Sequence, residues 1–216
     1  MRTHAFGVLA LVVGAATVST LAQAPAQPQR QPSPRGSAEV EVGGRWAAAD
    51  GGQRYSGGKW ISIDYGRPIL RGRADIFGAG ADYGKQVSAG SPVWRAGANN
   101  TTRLETEVPL VFGGKTLAPG AYNVFVELKE SAWTFVLTNQ PVQEKYDPND
   151  KVRLAGAYNY DPKFDLVRVP MTMATAPVSF EEFTIGFVDM TPAGGSIAMM
   201  WGKQIATVPF TIGAGS

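Results

Sequence analysis

The sequence predicts an all-β domain, an antiparallel β-sandwich of jelly-roll or Greek-key type. Apolar residues recur with a period of two in segment after segment, Gly and Pro turn signals separate those segments, and no stretch holds the 3.6-residue period of a helix. A period of two places apolar side chains on one face of a sheet and polar ones on the other. Short strands at this spacing pack as two sheets or close into a barrel, and roughly eight to ten of them make a sandwich.

The N-terminus reads as an export signal over residues 1–24. Arg2 supplies the positive charge, Phe6 to Val18 form an apolar run, and small residues around Ala22 and Ala24 suit cleavage. The apolar run is shorter than the roughly 20 residues a membrane span needs. The expected location is therefore outside the cytoplasm, in the periplasm or beyond the cell, with no membrane span in the mature protein. Residues 25–38 are rich in Pro and Gln over Ala24 to Arg35 and are expected to be a flexible linker, since they carry too little apolar surface to offset the entropy of ordering. Residues 39–216 are expected to be a single domain.

Within that domain Ile61, Ile63 and Tyr65 alternate with Trp60, Ser62 and Asp64. Leu104, Thr106 and Val108 alternate with Arg103, Glu105 and Glu107. Tyr122, Val124, Val126 and Leu128 share a face, as do Trp133, Phe135 and Leu137, and then Val167, Val169, Met171 and Met173. Phe183 to Val188, Ser196 to Trp201 and Ile205 to Ile212 read as three later strands. Gly113-Gly114 between two apolar triplets is a hairpin signal, and Pro119-Gly120 favours a tight turn. Arg67 to Pro92 and Gln140 to Lys163 are rich in Gly, Asp and Pro and read as long loops, with room for a short helical turn. Such loops on a rigid scaffold are where function concentrates.

Composition excludes more chemistry than it suggests. The sequence has no Cys, and its one His is His4, inside the expected signal. The mature part thus lacks a Ser-His-Asp triad, a thiol nucleophile and the imidazole and thiolate ligands of zinc. No metal or other cofactor is expected. Lys and Arg number 20 against 18 Asp and Glu, with no basic run, so nucleic acid is not an expected partner. What remains is carboxylates, Lys, Tyr, and sites built from oxygen and guanidinium groups.

The segment Val93 to Thr102 (VWRAGANNTT) places an indole, a guanidinium and two amides just before a strand. Trp94 could stack on a planar ligand, Arg95 hold an anion by two parallel hydrogen bonds, and Asn99 orient it. The structural alternative puts Trp94 in the core, Arg95 on a carboxylate and Asn99 in the turn. The segment Asp64 to Gly78 carries Arg67, Arg71 and Arg73, which could hold an anion or pair with Asp64, Asp75 and Asp82. Tyr146 to Asp150 reads as a turn rather than a cation loop. Tyr158 to Asp161 resembles a sugar-binding edge. Glu181-Glu182 with Asp161 or Asp165 could supply a carboxylate pair for glycoside hydrolysis.

Taken together, Ile63-Asp64-Tyr65-Gly66-Arg67-Pro68, Arg71-Gly72-Arg73, Ile76-Phe77-Gly78, Trp94 to Asn99, Leu117 to Tyr122, Trp133-Thr134-Phe135, Asp165 to Val169 and Trp201 resemble a bacterial exported family catalogued only as domain of unknown function 2911. The resemblance spans about Trp60 to Ile212. It implies an exported β-rich protein and brings no assigned activity or catalytic residues. The stretches Gln86 to Pro92 and Gln140 to Lys151 depart from the pattern. The resulting expectation is a non-enzymatic binding or envelope-associated module for a glycan, a peptide or a small anionic ligand. Its expected site is Trp94, Arg95 and Asn99 with Arg67 or Arg73, and no catalytic residue is assigned. A carboxylate-based carbohydrate-active enzyme and a structural partner in an envelope complex are the alternatives.

Overall fold

The computed structural model of this chain describes residues 31–214. The expected signal at 1–24 and the first part of the expected linker, 25–30, lie outside the described residues. Twelve strands are present among the described residues: β1 (Arg35–Val42), β2 (Arg45–Ala49), β3 (Gly52–Ser56), β4 (Lys59–Gly66), β5 (Thr102–Thr106), β6 (Leu110–Phe112), β7 (Lys115–Leu117), β8 (Gly120–Glu127), β9 (Thr134–Thr138), β10 (Asp165–Pro170), β11 (Thr172–Thr191) and β12 (Gly194–Ile212). One four-residue helix, α1 (Lys85–Ser88), and 3-10 turns at Gly80–Asp82 and Pro162–Phe164 interrupt the two long loops.

The strands form a six-stranded sheet ordered β1-β4-β5-β8-β9-β10 and a four-stranded sheet ordered β11-β12-β6-β7. Every strand pair is antiparallel. The two sheets pack as a sandwich and do not close into a barrel. The predicted alternation is what fills the space between them. Ile61, Ile63 and Leu104 are fully buried from the first sheet, and Phe183, Ile185, Ile197 and Met199 from the second. Tyr65 latches the layers: its hydroxyl donates to Ile185 O (3.3 Å) and accepts from Ile185 N (3.0 Å). The glycine pair 113–114 makes the β6–β7 turn with φ of 53° and 79°, a left-handed pair that only glycine adopts without strain.

Three elements differ from expectation. The segments Phe183 to Val188, Ser196 to Trp201 and Ile205 to Ile212 belong to only two strands, β11 and β12, of 20 and 19 residues. Register shifts near Thr175, Phe180 and Val188 break the period of two, so a continuous strand reads as separate pieces. β1 begins at Arg35, inside the segment 25–38 expected to be linker. Its first residues are small or charged, Val40 and Val42 alternate with Glu39 and Glu41 and turn to the core, and all eight pair in register with β4. The backbone ladder carries the pairing back to Arg35, beyond the short apolar stripe. Finally, β2 and β3 form a separate two-stranded arm between Gly43-Gly44 and Gly57-Gly58, with Trp46 two-thirds exposed against Tyr55.

A second, smaller core lies under the loop after β9. Phe125 and Val136 are fully buried and pack with Val93, Leu154 and Ala157. Phe125 alternates with the inward residues Val124 and Val126, so it lies on the outer face of the first sheet. The loop Gln140 to Lys163 therefore covers that face and is held in place by it.

Candidate functional site

The segment 94–102 leads into β5 and is shaped by its own hydrogen bonds. Trp94 exchanges two 2.8 Å backbone bonds with Val126, extending the sheet beside β8. Its indole Nε1 donates to Gly97 O (3.1 Å), Thr102 Oγ1 donates to Ala96 O (2.9 Å), and Arg95 Nη1 donates to Asn99 O (2.6 Å). Ala96 and Asn99 sit at φ of 47° and 63°. Gly97 lies against Gly66: a Cβ on Gly66 would fall 1.9 Å from Ala98 O, and one on Gly97 2.8 Å from Gly66 O. The end of β4 and this loop thus touch backbone to backbone, which ties the two most distinctive sequence segments together.

A cavity of about 300 Å³ opens between this loop, the loop after β4, α1 and β12. Trp94, Arg95, Asn99 and Arg73 all line it, so four of the five expected site residues converge. Their roles differ from expectation. The Trp94 ring is 1% exposed and packs against Phe183 (4.9 Å between centroids), Phe77 (5.9 Å) and Trp201 (6.0 Å), so stacking of Trp94 on a ligand is corrected to a wall of the core. Burying an indole among aromatic rings stabilises more than leaving it as a wet platform. Asn99 donates to Ser33 O (2.9 Å) and Gln31 Oε1 (3.2 Å), which pins residues 31–33 to the loop. Arg73 donates from Nε to Leu70 O and from Nη2 to Ile69 O, and no described residue engages its Nη1.

Arg67 does not line the cavity. It pairs with Glu182 (2.7 Å), while Asp64 pairs with Arg35. The ion-pair reading of these arginines therefore holds for Arg67, with a different carboxylate from those named. Arg95 is the contrast. It is half-buried, no carboxylate lies within salt-bridge distance among the described residues, and burial pulls its pKa below the usual guanidinium value. Guanidinium remains charged at any physiological pH regardless.

Sequence reasoning missed the deepest polar group in the cavity. Trp201 is 3% exposed and lines the wall, and its Nε1–H has no acceptor among the described residues. Its inward position with Ile197 and Met199 marks it as core. The legible signal was the indole itself, because a buried Trp N–H usually needs a partner. Gln86 of α1 adds an amide to the wall, and Pro68, Ile76 and Val87 add apolar surface. None of the lining residues is acidic. The arrangement offers donors and positive charge to an acceptor-bearing ligand.

The other candidate residues are committed elsewhere. Glu181 accepts from Arg71 N and Glu182 holds Arg67. Asp161 caps the Pro162–Phe164 turn and pairs with Lys163, and Asp165 holds Tyr160 and Arg168. Asp147 and Asp150 bond the backbone of their own turn, as the turn reading requires. Among the described residues no group of three or more His, Cys, Asp or Glu is placed to hold a metal, and no helix is long and apolar enough to cross a membrane.

No curated protein and no solved structure matches the chain. A family model described as a protein of unknown function (DUF2911) matches residues 49–210, a stretch that holds β4, both long loops, the cavity wall from Pro68 to Trp201 and almost all of β12. That match covers well over half of the sequence, and the chain belongs to this family.

Proposed function

We propose that this protein is an exported, non-enzymatic binding module whose inner cavity takes a small anionic ligand with an apolar end. The observation that carries the reading is a cavity lined by two arginines and by no acid, with Trp201, whose buried Nε1–H has no partner among the described residues, in its wall. A buried donor without an acceptor costs about 1–3 kcal/mol, and a ligand oxygen placed on it recovers that cost. The volume falls at the small end of ligand sites, which run from roughly 300 to 1,000 Å³. A short carboxylate fits this chemistry: oxygens to Trp201 and the Arg73 guanidinium, and carbon chain against Pro68, Ile76 and Val87. Export is supported by the charged, apolar and small-residue order of residues 1–24.

The test is the melting temperature of the purified protein against acetate, propionate, butyrate and phosphate. A ligand at 100 times its Kd adds about 2.7 kcal/mol, a rise of several degrees. The rise should be lost in Trp201→Phe, whose unliganded form melts lower than the parent because the smaller ring leaves a void against Phe77, Trp94 and Phe183. Equal shifts in parent and variant would mark a general salt effect and sink the reading.

A further inference from the structure

A second cleft, of about 440 Å³, lies on the outer side of the same loop, between Asn99 to Thr101 and the loop that follows β9. Three features of its wall call for three different ligand groups. The first is Arg95, whose guanidinium lies flat on Gly156: a Cβ there would fall 2.3 Å from Nη1 and 2.6 Å from Cζ. Gly156 sits at φ of 64°, a left-handed conformation that favours glycine and leaves room for the guanidinium. With one bond to Asn99 O and no carboxylate partner, this guanidinium keeps donors for an anion. The second is Asn123, only 6% exposed, whose Nδ2 donates to Gln140 O (2.7 Å). No described residue donates to its Oδ1, and the side chain lines the cleft, so a ligand O–H is the group that would satisfy it. The third is a pair of exposed aromatic rings, Tyr158 (55%) and Tyr146 (69%), which offer flat apolar faces.

We propose that this outer cleft is a binding site for an acidic sugar residue, a uronic acid. A uronic acid carries in one ring the carboxylate for Arg95, the hydroxyl donor for Asn123 and the C–H face for a tyrosine. A neutral sugar would leave Arg95 unpaired, and a simple carboxylate would leave Asn123 and the tyrosines without partners. Arg95 and Asn99 border both the inner cavity and this cleft, whereas Tyr158, Tyr146 and Asn123 line only the cleft and Trp201 only the cavity. Arg103 at the rim is paired with Glu105, and Glu144, the acidic residue of the wall, makes no salt bridge to Arg95.

Calorimetric titration of the purified protein with D-glucuronate and D-galacturonate, and with D-glucose as the neutral counterpart, tests this. Expected is saturable binding of at least one uronate, no binding of glucose at the same concentration, and an affinity about tenfold weaker in both Tyr158→Ala and Arg95→Gln, the scale of one lost charge-assisted bond or ring contact. Tyr158 is exposed, so its variant keeps the parent melting temperature and reads the site alone. Absence of uronate binding, equal binding of glucose, or a uronate affinity untouched by Tyr158→Ala overturns the proposal.

Discussion

Tyr65 shows how one hydroxyl can join two layers. It is 6% exposed and both donates to and accepts from the backbone of Ile185, across the sandwich. Tyr65→Phe keeps the ring against Phe183 (5.7 Å) but leaves a buried N–H and a buried carbonyl with fewer partners. The expected cost is about 1–3 kcal/mol, read as a lower urea midpoint with an unchanged slope. At the same scale two arginines that look alike in sequence diverge. Arg67 has a carboxylate and Arg95 has none, and only the second is available to a ligand. The residue type sets what each side chain can do, and the neighbours supplied by distant segments set whether it is already doing it.

At the scale of elements, the candidate site exists because a strand end and a loop approach more closely than side chains allow. Gly66 closes β4 directly against Ala98 and Gly97. Gly66→Ala places a methyl group within 2 Å of a backbone oxygen, where no rotamer change relieves it. The loop must move, at a cost of about 3 kcal/mol for an overpacked contact that cannot relax. Both cavities share this loop, so the variant should lose the stabilisation by carboxylates and the binding of uronates together, with a lower melting temperature in the free protein. The period of two was legible for β4 and β5, where one face is buried and the other more open, and for β8 and β9, where the loop after β9 covers the outer face as well. It was faint for β1, where only Val40 and Val42 carry the stripe, and illegible for β11 and β12, where shifts in register break the count.

For the molecule as a whole, the outer loop is fastened to the first sheet by a part-buried polar cluster. The Tyr160 hydroxyl donates to Asp165 Oδ2 (2.6 Å), Arg168 Nη1 donates to the same oxygen (2.8 Å), and the tyrosine ring packs on Phe125. Burial, followed by the hydrogen bond to Asp165 and its negative charge, raises the Tyr160 pKa far above its ordinary value. A pKa raised in the folded state means that the folded protein holds the proton more tightly. That contribution is complete below the unfolded tyrosine pKa of about 10 and fades as pH rises toward the folded value. Tyr83 and Tyr122 are shifted in the same direction by burial. Melting temperature should therefore hold steady from neutral pH to about 10 and fall above it. In Tyr160→Phe the fall should be shallower, from a lower starting value. An equally steep fall in the variant would assign the alkaline loss to other groups.

The sequence by itself determined the fold class, the main inward-facing strands, the β6–β7 hairpin, the family, the absence of Cys and the absence of His beyond His4. These are local or compositional properties. Strand geometry imposes a period of two on any half-buried strand, two glycines permit a left-handed turn wherever they stand, and a residue type is present or it is not. Tertiary structure alone decided that Trp94 is a wall and not a platform, that Glu182 neutralises Arg67 while Arg95 goes unpaired, and that Trp201 keeps a buried N–H without an acceptor. It also decided that the loop after β9 covers a second core and so raises the rim of an outer cleft. Each of those depends on which backbone carbonyl, carboxylate or ring a distant segment brings within a few ångströms, and no spacing along the chain encodes that distance.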